Sequence, residues 1–413
     1  MHTNDFGPLS YGQLRQWRDV ENLPRERWHE VNTWLRWSLP ADVGTERVRR
    51  ALRALAARCP SLRTTYDLTD PARPRQRVTT DDVELDTVAI TATGRGSDEE
   101  AMAATEEVLD HPFDLRERPA WRTLILTGRG LATEVFLVRH HIVADGLSNG
   151  VLEHEFRTFL NEQDGQEVVA AAEGPLDLAL WQRAPEQQRA WAPAVERWEH
   201  TFAAEDGRGF PGVDSANIGA LQCVLRSSAA LGRAGDLAAR TRTSVSSVVL
   251  AVYTLAIAQV TGVERLVAES ECSNRFNPRW RSVVSSMVQS VPVPVTVADD
   301  LAEHITRVHH EAMTAYRRGM YDVDTVAALP SAAGHTATCE YNFFPWQEIA
   351  ESADSTEPVW EEPTSAVKSG CSLRAAEKDA TLVLCLRTRG VAQDRAAAVM
   401  KHMLALLNES TAF

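Results

Sequence analysis

The chain has 413 residues, 44% of them hydrophobic and 24% charged, with no long Gly/Ser or Pro-rich tract, so it reads as an ordered globular protein. Its 43 basic and 57 acidic side chains leave a formal charge of -14, which gives no general electrostatic reason to bind nucleic acid or anionic lipid. A single core stops growing at roughly 250 to 300 residues, so two subdomains of similar size are expected.

The opening MHTNDFGPLSYG has no basic stretch followed by an apolar run and is not a signal peptide. Thr45 to Arg58 places Val48, Leu52 and Leu55 at helical spacing, with Thr45 as N-cap, and Pro60 stops this helix before LRTTYDL, a predicted strand. The arginines of RVRRALR, Arg47 to Arg53, fit the solvated face of that helix better than a nucleic-acid patch. In LATEVFLVRHH, from Leu131, Val135 and Leu137 fall on one face and Phe136 and Val138 on the other, which predicts a strand with two packed faces ending at the histidines. Beyond Asp145, the positions Leu147, Val151, Leu152, Phe156, Phe159 and Leu160 form one helical stripe ending near Asn161.

The polar, alanine-rich stretch NEQDGQEVVAAAEGP, Asn161 to Pro175, is the predicted linker and divides the chain into 1–170 and 171–413. In the second part VSSVVLAVYTLAIAQV, Val245 to Val260, is too short and too polar for a membrane span and reads as a core helix ending at Gly262. ERLVAESECSNR follows as a strand, so the helix-then-strand order of the first part recurs. The last helix, Gln393 to Asn408, carries Val399, Met400, Met403, Leu404 and Leu407 on an apolar face. The six cysteines, Cys59, Cys223, Cys272, Cys339, Cys371 and Cys385, show no metal-ligand spacing and suit a reducing cytoplasm.

The stretch RHHIVADGLSNG, Arg139 to Gly150, is thus a strand-to-helix junction. Successive strand residues point to opposite faces, so His140 and His141 cannot both enter one pocket while the backbone stays extended. A metal site would use His141 and Asp145 at a spacing of four, but the two straddle the strand end and no third ligand is near, so no metal is expected. No GxSxG occurs and Ser148 falls inside the predicted helix, which argues against a serine nucleophile. Two readings stay open on these residues alone. One has a neutral histidine accepting a proton from an attacking amine or hydroxyl, with Asp145 capping the helix or pairing an arginine and Gly146 giving close approach. The other has two core histidines beside a helix cap.

Further motifs flank this one. PLSYGQLRQW carries Ser10, Gln13 and Trp17; RCPSLRTTY carries Leu62, Arg63 and Thr64; HPFDLRERPAWR runs from His111 to Arg122, and PLDLALWQR from Pro175 to Arg183. ECSNRFNPRWRSVVSSMVQSVPVPV holds Asn274, Arg275 and Pro292. In that order, with HHIVADG matching HHxxxDG, they resemble the motifs of the condensation domains of nonribosomal peptide synthetases, within the chloramphenicol-acetyltransferase-like acyltransferases. Leu176 replaces a usual tyrosine, Ser285 a usual glycine and Gln289 a usual asparagine. EYNFFPW, Glu340 to Trp346, and the last helix are less alike.

The resemblance implies an α/β fold of two chloramphenicol-acetyltransferase-like subdomains, a V-shaped pseudo-dimer with a central tunnel, the first carrying HHIVADG. It implies that His141 is the catalytic residue. His140, Asp145 and Gly146 would support it, with Asp145 paired to Arg275 in the first instance or to Arg63. Tyr11, Ser290, Asn342, Phe344 and Trp346 are candidate substrate contacts. The reaction implied is transfer of an acyl or aminoacyl group from the phosphopantetheine thioester of a carrier protein to an amine or hydroxyl, giving an amide or ester in natural-product biosynthesis such as that of antibiotics. No acyl-enzyme and no cofactor held by the enzyme are needed. The expected protein is a free-standing cytoplasmic monomer meeting acyl or peptidyl carriers in trans, with a small-molecule or carrier-bound acceptor. Arg15, Arg18 and Arg25 are the candidate carrier contacts. A CoA-dependent acyltransferase and a non-catalytic carrier-docking module are the alternatives.

Overall fold

The computed structural model describes residues 6–21, 23–79, 87–91, 97–162, 173–204, 209–329, 337–344, 354–355, 357–363 and 370–408. The chain forms two compact units, one of residues 1–189 with 275–288 and the other of residues 190–274 with 289–413. Residues 171–189 and 275–288, which the sequence places in the second part, therefore belong to the first unit.

The first unit runs β1 (Gly7–Pro8), α1 (Tyr11–Val20), β2 (Asn32–Ser38), α2 (Thr45–Arg58), β3 (Thr64–Asp67), β4 (Arg75–Val78), β5 (Thr87–Thr91), α3 (Ser97–Leu109), β6 (Trp121–Gly128), β7 (Leu131–His140), α4 (Ser148–Asn161) and α5 (Pro175–Gln182). The next helix, α6 (Pro185–Ala203), leads into the second unit. Among the described residues, β2, β7, β6 and β5 form a sheet in that order, and β1, β4 and β3 a smaller one. Strand β7 is central, antiparallel to both β2 and β6. Its last six residues are buried on both faces, as its unbroken apolar run predicts.

Trp37 on β2 stacks on Phe156 of α4 with ring centroids 4.7 Å apart, which pins α4 to one face of this sheet. The stripe behind Asp145 is buried at Leu152, Phe156, Phe159 and Leu160, but Leu147 is 40% exposed. The helix begins only at Ser148, so Leu147 still belongs to the turn and is not carried round onto the apolar face. Similarly Thr45 is the first helical residue of α2, and Gly44 takes the cap position.

The second unit runs β8 (Ala220–Ser227), α7 (Ser228–Thr241), α8 (Val245–Thr261), β9 (Arg265–Cys272), β10 (Gln289–Thr296), α9 (Leu301–Tyr316), α10 (Val323–Ala327), β11 (Cys339–Phe343), β12 (Val359–Glu361), β13 (Gly370–Lys378), β14 (Thr381–Arg389) and α11 (Gln393–Asn408). Its sheet has the order β10-β9-β11-β13-β14-β8-β12. Alternate residues of β14 (Leu382, Leu384, Leu386) and β13 (Leu373, Ala375) face a core shared with α7, α8, α9 and α11. Helix α8 is the centre of that core. Ser244 Oγ accepts the Ser247 N–H at its start, and Gly262 closes it at φ 74°, a left-handed conformation that glycine takes without a Cβ penalty. No single described helix is long and apolar enough to cross a membrane. The predicted linker lies largely outside the described residues.

Residues 275–288 reach the first unit as a loop that passes close to α1. A Cβ added to Gly12 would lie 2.4 Å from the Ser286 carbonyl oxygen and 2.6 Å from Met287 Cα, so backbone meets backbone there. Gly12→Ala should destabilise the protein by about 1 to 3 kcal/mol in urea denaturation. Gly150→Ala, where nothing lies within 4 Å on the exposed side of α4, should be neutral or stabilising by about 0.5 to 1 kcal/mol.

Candidate active site

Strand β7 ends at His140, and His141 opens the turn that follows, in which the Val143 N–H donates to His140 O at 3.1 Å. The His140 N–H donates to Ala120 O at 3.0 Å, towards the β6 side, and the His141 N–H to Val31 O at 3.1 Å, towards the β2 side. His140 is 1% exposed, and its Nδ1 accepts the Ile142 N–H at 3.1 Å, which places the ring proton on Nε2. Burial, with a smaller contribution from His141, pushes its pKa down to about 3, so it is a neutral spacer at any physiological pH.

His141 is half-buried at the strand end. Burial is the largest influence on its ring and lowers its pKa; Asp145 and the residue's own carbonyl pull the other way, and Arg139 and Arg15 add to the lowering. The net effect is a neutral imidazole, the form that accepts a proton.

The turn after His141 is fixed by one buried ion pair. Asp145 is fully buried and Arg275 is 8% exposed, and Arg275 Nη2 donates to Asp145 Oδ1 at 2.7 Å. The same oxygen accepts the Ser148 N–H at 3.0 Å, and Asp145 Oδ2 accepts the Met287 N–H at 3.0 Å. Ser148 Oγ lies 2.9 Å from Asp145 Oδ1 and accepts from Arg275 Nη2 at 2.8 Å, so this serine is a structural partner. Burial alone pushes the Asp145 carboxyl up, but the Arg275 charge and hydrogen bond and the two backbone donors outweigh it and hold the group below the usual carboxylate range. Arg275 is further held by the carbonyls of Val283 (2.8 Å) and Ser285 (3.2 Å).

Arg63 does not reach Asp145. Its guanidinium donates to Ala56 O at 3.0 Å and Thr79 O at 2.6 Å, closing the end of α2. Its sequence neighbour Ser61 does serve the turn, donating to Val143 O. Gly146 is half-buried and its φ is not positive, so what it offers is the missing side chain, not a left-handed backbone. Tyr11 is 2% exposed, donates its N–H to Gln182 Oε1 at 2.8 Å and lies under the Arg183 guanidinium, 4.8 Å from the ring centroid. Ser290, Asn342 and Phe344 lie in the second unit: Ser290 Oγ is 3.4 Å from Glu271 Oε1 on β9, Asn342 is on β11, and the Phe344 N–H donates to Ala375 O at 3.1 Å. Trp346 lies outside the described residues.

Of four residues that build this turn, Ser148, Ser285, Met287 and Gly12, the sequence named Ser148 only to set it aside as a nucleophile and Ser285 only as a departure from the family pattern. Three of these act through main-chain atoms or through a missing Cβ, and side-chain chemistry carries no sign of that. Ser148 was legible only as a hydroxyl three residues after a capping aspartate, the spacing of a local side-chain-to-backbone bond.

The condensation domain family model matches residues 3–360, and the chain belongs to that family, whose members are acyltransferases that form amide or ester bonds. Among curated proteins it is 29% identical over 330 residues to nonribosomal peptide synthetase kk1B of Curvularia clavata, covering 76% of this chain and 2% of that protein. It is 26% identical over 347 residues to cyclosporin synthetase simA of Tolypocladium inflatum, covering 79% and 2%. The chain thus spans only a small part of the curated relatives it matches. Among solved structures it resembles a condensation domain of chain release from the enacyloxin polyketide synthase (TM-score 0.75, 21% identity, 98% of this chain and 83% of that one) and SgcC5 of Streptomyces globisporus (TM-score 0.73, 16% identity, 97% and 98%). The epimerization domain of tyrocidine synthetase B has the same fold at TM-score 0.77, so fold alone does not select the reaction.

Asp145→Ala should cost about 3 to 5 kcal/mol of stability, because it leaves the Arg275 charge buried and uncompensated. Adding Arg275→Met should recover part of that loss, so a double-mutant cycle by urea denaturation should show non-additivity, whereas Asp145 with Arg63→Met should add. Stability should also fall as pH drops. The folded protein resists protonating His140 down to about 3 while the unfolded chain takes up that proton below about 6.5, so this contribution is intact above pH 6.5 and is lost between those values. The slope is about 1.4 kcal/mol per pH unit for each such proton. His140→Gln should flatten the urea midpoint against pH in that window.

Proposed function

We propose that this condensation domain transfers an acyl or aminoacyl group from the phosphopantetheine thioester of a carrier protein to an amine or hydroxyl acceptor, giving an amide or ester in natural-product biosynthesis. The observation that carries this reading is a neutral, half-buried His141 opening the turn after β7, a turn whose aspartate is fully committed to Arg275 and its neighbours. That aspartate is not free to act as a base or as a metal ligand. The one proton acceptor the motif presents is therefore the imidazole.

In the proposed reaction the acceptor nitrogen or oxygen attacks the thioester carbonyl carbon and gives up its proton to His141. The carbon–sulfur bond then breaks, and the departing thiolate takes the proton back from the imidazolium, so the enzyme ends as it began. Backbone N–H groups by Gly146 would stabilise the oxyanion. No covalent acyl-enzyme is formed, in keeping with the engaged Ser148 hydroxyl. The carrier supplies the phosphopantetheine and the enzyme holds no cofactor of its own. A CoA thioester presents the same reacting atoms, so the donor is decided by its carrier.

His141→Ala should lower condensation from an acyl-loaded carrier by roughly 10²- to 10⁴-fold with the fold intact by circular dichroism. Unchanged turnover would exclude the histidine as base. The same acyl group offered on CoA should be used less well than on carrier protein; equal or better use of CoA would favour a small-molecule acyltransferase, and tight carrier binding without product would favour a docking module.

A further inference from the structure

The small sheet β1-β4-β3 has two unlike faces. Gln76 on β4 and Tyr66 on β3 turn towards α1, where Gln13 Nε2 donates to Gln76 Oε1 at 3.1 Å and lies 3.5 Å from the Tyr66 hydroxyl. The residues on either side of them turn the other way. There Arg77 lies opposite Thr65, and Arg75 opposite Asp67. Phe6, just ahead of β1, is 37% exposed and has both guanidinia against its ring, each Cζ 5.1 Å from the centroid. The two arginines differ in what else they meet. Arg75 Nη2 pairs with Asp67 Oδ2 at 3.0 Å. Arg77 meets no carboxylate among the described residues, and its Nε and the neighbouring Thr65 Oγ1 are closed off without a hydrogen-bond partner. Arg77 is half-buried, so with Nε shut away the part of it left to a partner is the Nη edge, the planar fork that takes a carboxylate bidentately.

We propose that Phe6 and Arg77, with Arg73 and Arg75 beside them, form a docking surface for a carboxylate-rich face of the carrier protein. An exposed aromatic ring flanked by arginine has the composition of an interface hot spot, and here the stack fixes the guanidinia before any partner arrives. Charge selects the partner. Between Asp67 and Val78 three arginines stand against two aspartates, a local positive excess in a chain of net charge -14, and Asp67 is already taken by Arg75. The complement of this patch is therefore an acidic protein surface, and the protein that the proposed reaction requires is a carrier, so the assignment rests on that reading. The arginines that the sequence nominates for carrier contact are engaged inside the first unit. Arg15 donates to Val288 O at 3.4 Å and pairs with Asp19, Arg18 pairs with Glu21 and donates to Pro71 O at 2.9 Å, and Arg25 lies 3.7 Å from Asp114.

The test measures binding of a holo-carrier protein, labelled on its phosphopantetheine thiol, to the full chain by fluorescence anisotropy. Binding should weaken as salt rises. Phe6→Ala and Arg77→Glu should each raise Kd by roughly 10- to 30-fold with the fold intact by circular dichroism. Arg77→Gln, which serves if Phe6→Ala does not fold, should raise it by a smaller factor and make the salt dependence shallower. Exchanging single carboxylates on the carrier for arginine should restore binding to Arg77→Glu in at least one case. A Kd unmoved in the folded variants overturns the proposal, as does a native chain that binds no carrier, or a loss that no carrier change restores, which would place the effect in the fold. Self-association of the chain alone, seen by sedimentation and lost in Phe6→Ala, would give this face to a second copy and overturn it too. Binding that responds to Phe6 and Arg77 while His141→Ala leaves condensation unchanged would keep the surface and remove the proposed reaction. Condensation that depends on His141 while binding is indifferent to both residues would do the reverse.

Discussion

The site depends on a carboxylate that water never reaches. Taking Asp145 and Arg275 out of solvent costs several kcal/mol per ion, and their mutual attraction offsets this only if the remaining lone pairs and protons are also satisfied. Both Asp145 oxygens are engaged, one by Arg275 and Ser148 and the other by the Met287 N–H, while Arg275 spends further donors on carbonyls of its own loop. The carboxylate is fully satisfied but the buried Arg275 Nε finds no hydrogen-bond partner among the described residues, so the pair adds less to net stability than to uniqueness. The turn has one geometry because any other leaves a charge unpaired. The partners are 130 residues apart in sequence, so the loop 275–288 and the turn after β7 have to be built together.

The other constraint is where the strand stops, between the two histidines. It gives adjacent, chemically identical histidines different fates: one ring is closed in, with its Nδ1 taken by Ile142, and the other is left half-buried with its charge state set by its neighbours. A single strand end thus sorts two consecutive histidines into a buried ring and a half-buried one.

Much of this was legible in the sequence, for physical reasons that differ by element. The strand from Leu131, the helix from Val245 and the last helix announce themselves by period, because burial on one or two faces leaves a repeating apolar signal. HHIVADG and Asn274-Arg275 gave the fold class and the aspartate's partner by resemblance, and Arg275, not Arg63, meets the carboxylate. The unit boundaries were not legible: composition marks a linker near 161–175, but which unit a helix or loop packs with is decided by contacts distant in sequence. Nor was the burial of Arg139, since its neighbours in space, Thr33, Trp121 and Asn149, come from three other elements.

The departures from the family pattern at Ser285 in the loop and at Gln289, which opens β10, also make sense once the atoms are placed. At position 285 the turn uses the main chain: the carbonyl accepts from Asp145 N–H at 3.4 Å and from Arg275 at 3.2 Å, and the N–H donates to Ser148 Oγ at 3.3 Å. A glycine would present the same groups, so the serine changes only what fills the space beside them, and its hydroxyl finds Ser286 O at 3.4 Å. At position 289 the side chain itself acts. Gln289 Nε2 donates to Tyr321 O at 2.7 Å while its Oε1 accepts from Asn274 Nδ2 at 3.3 Å, bridging two segments of the second unit. An asparagine is one methylene shorter and would have to give up one of those partners or draw them closer. They have little room to move, because Asn274 is held at φ 57° and a Cβ on Gly319 would already lie 2.6 Å from its side-chain oxygen. The longer amide thus fits the spacing that its neighbours impose.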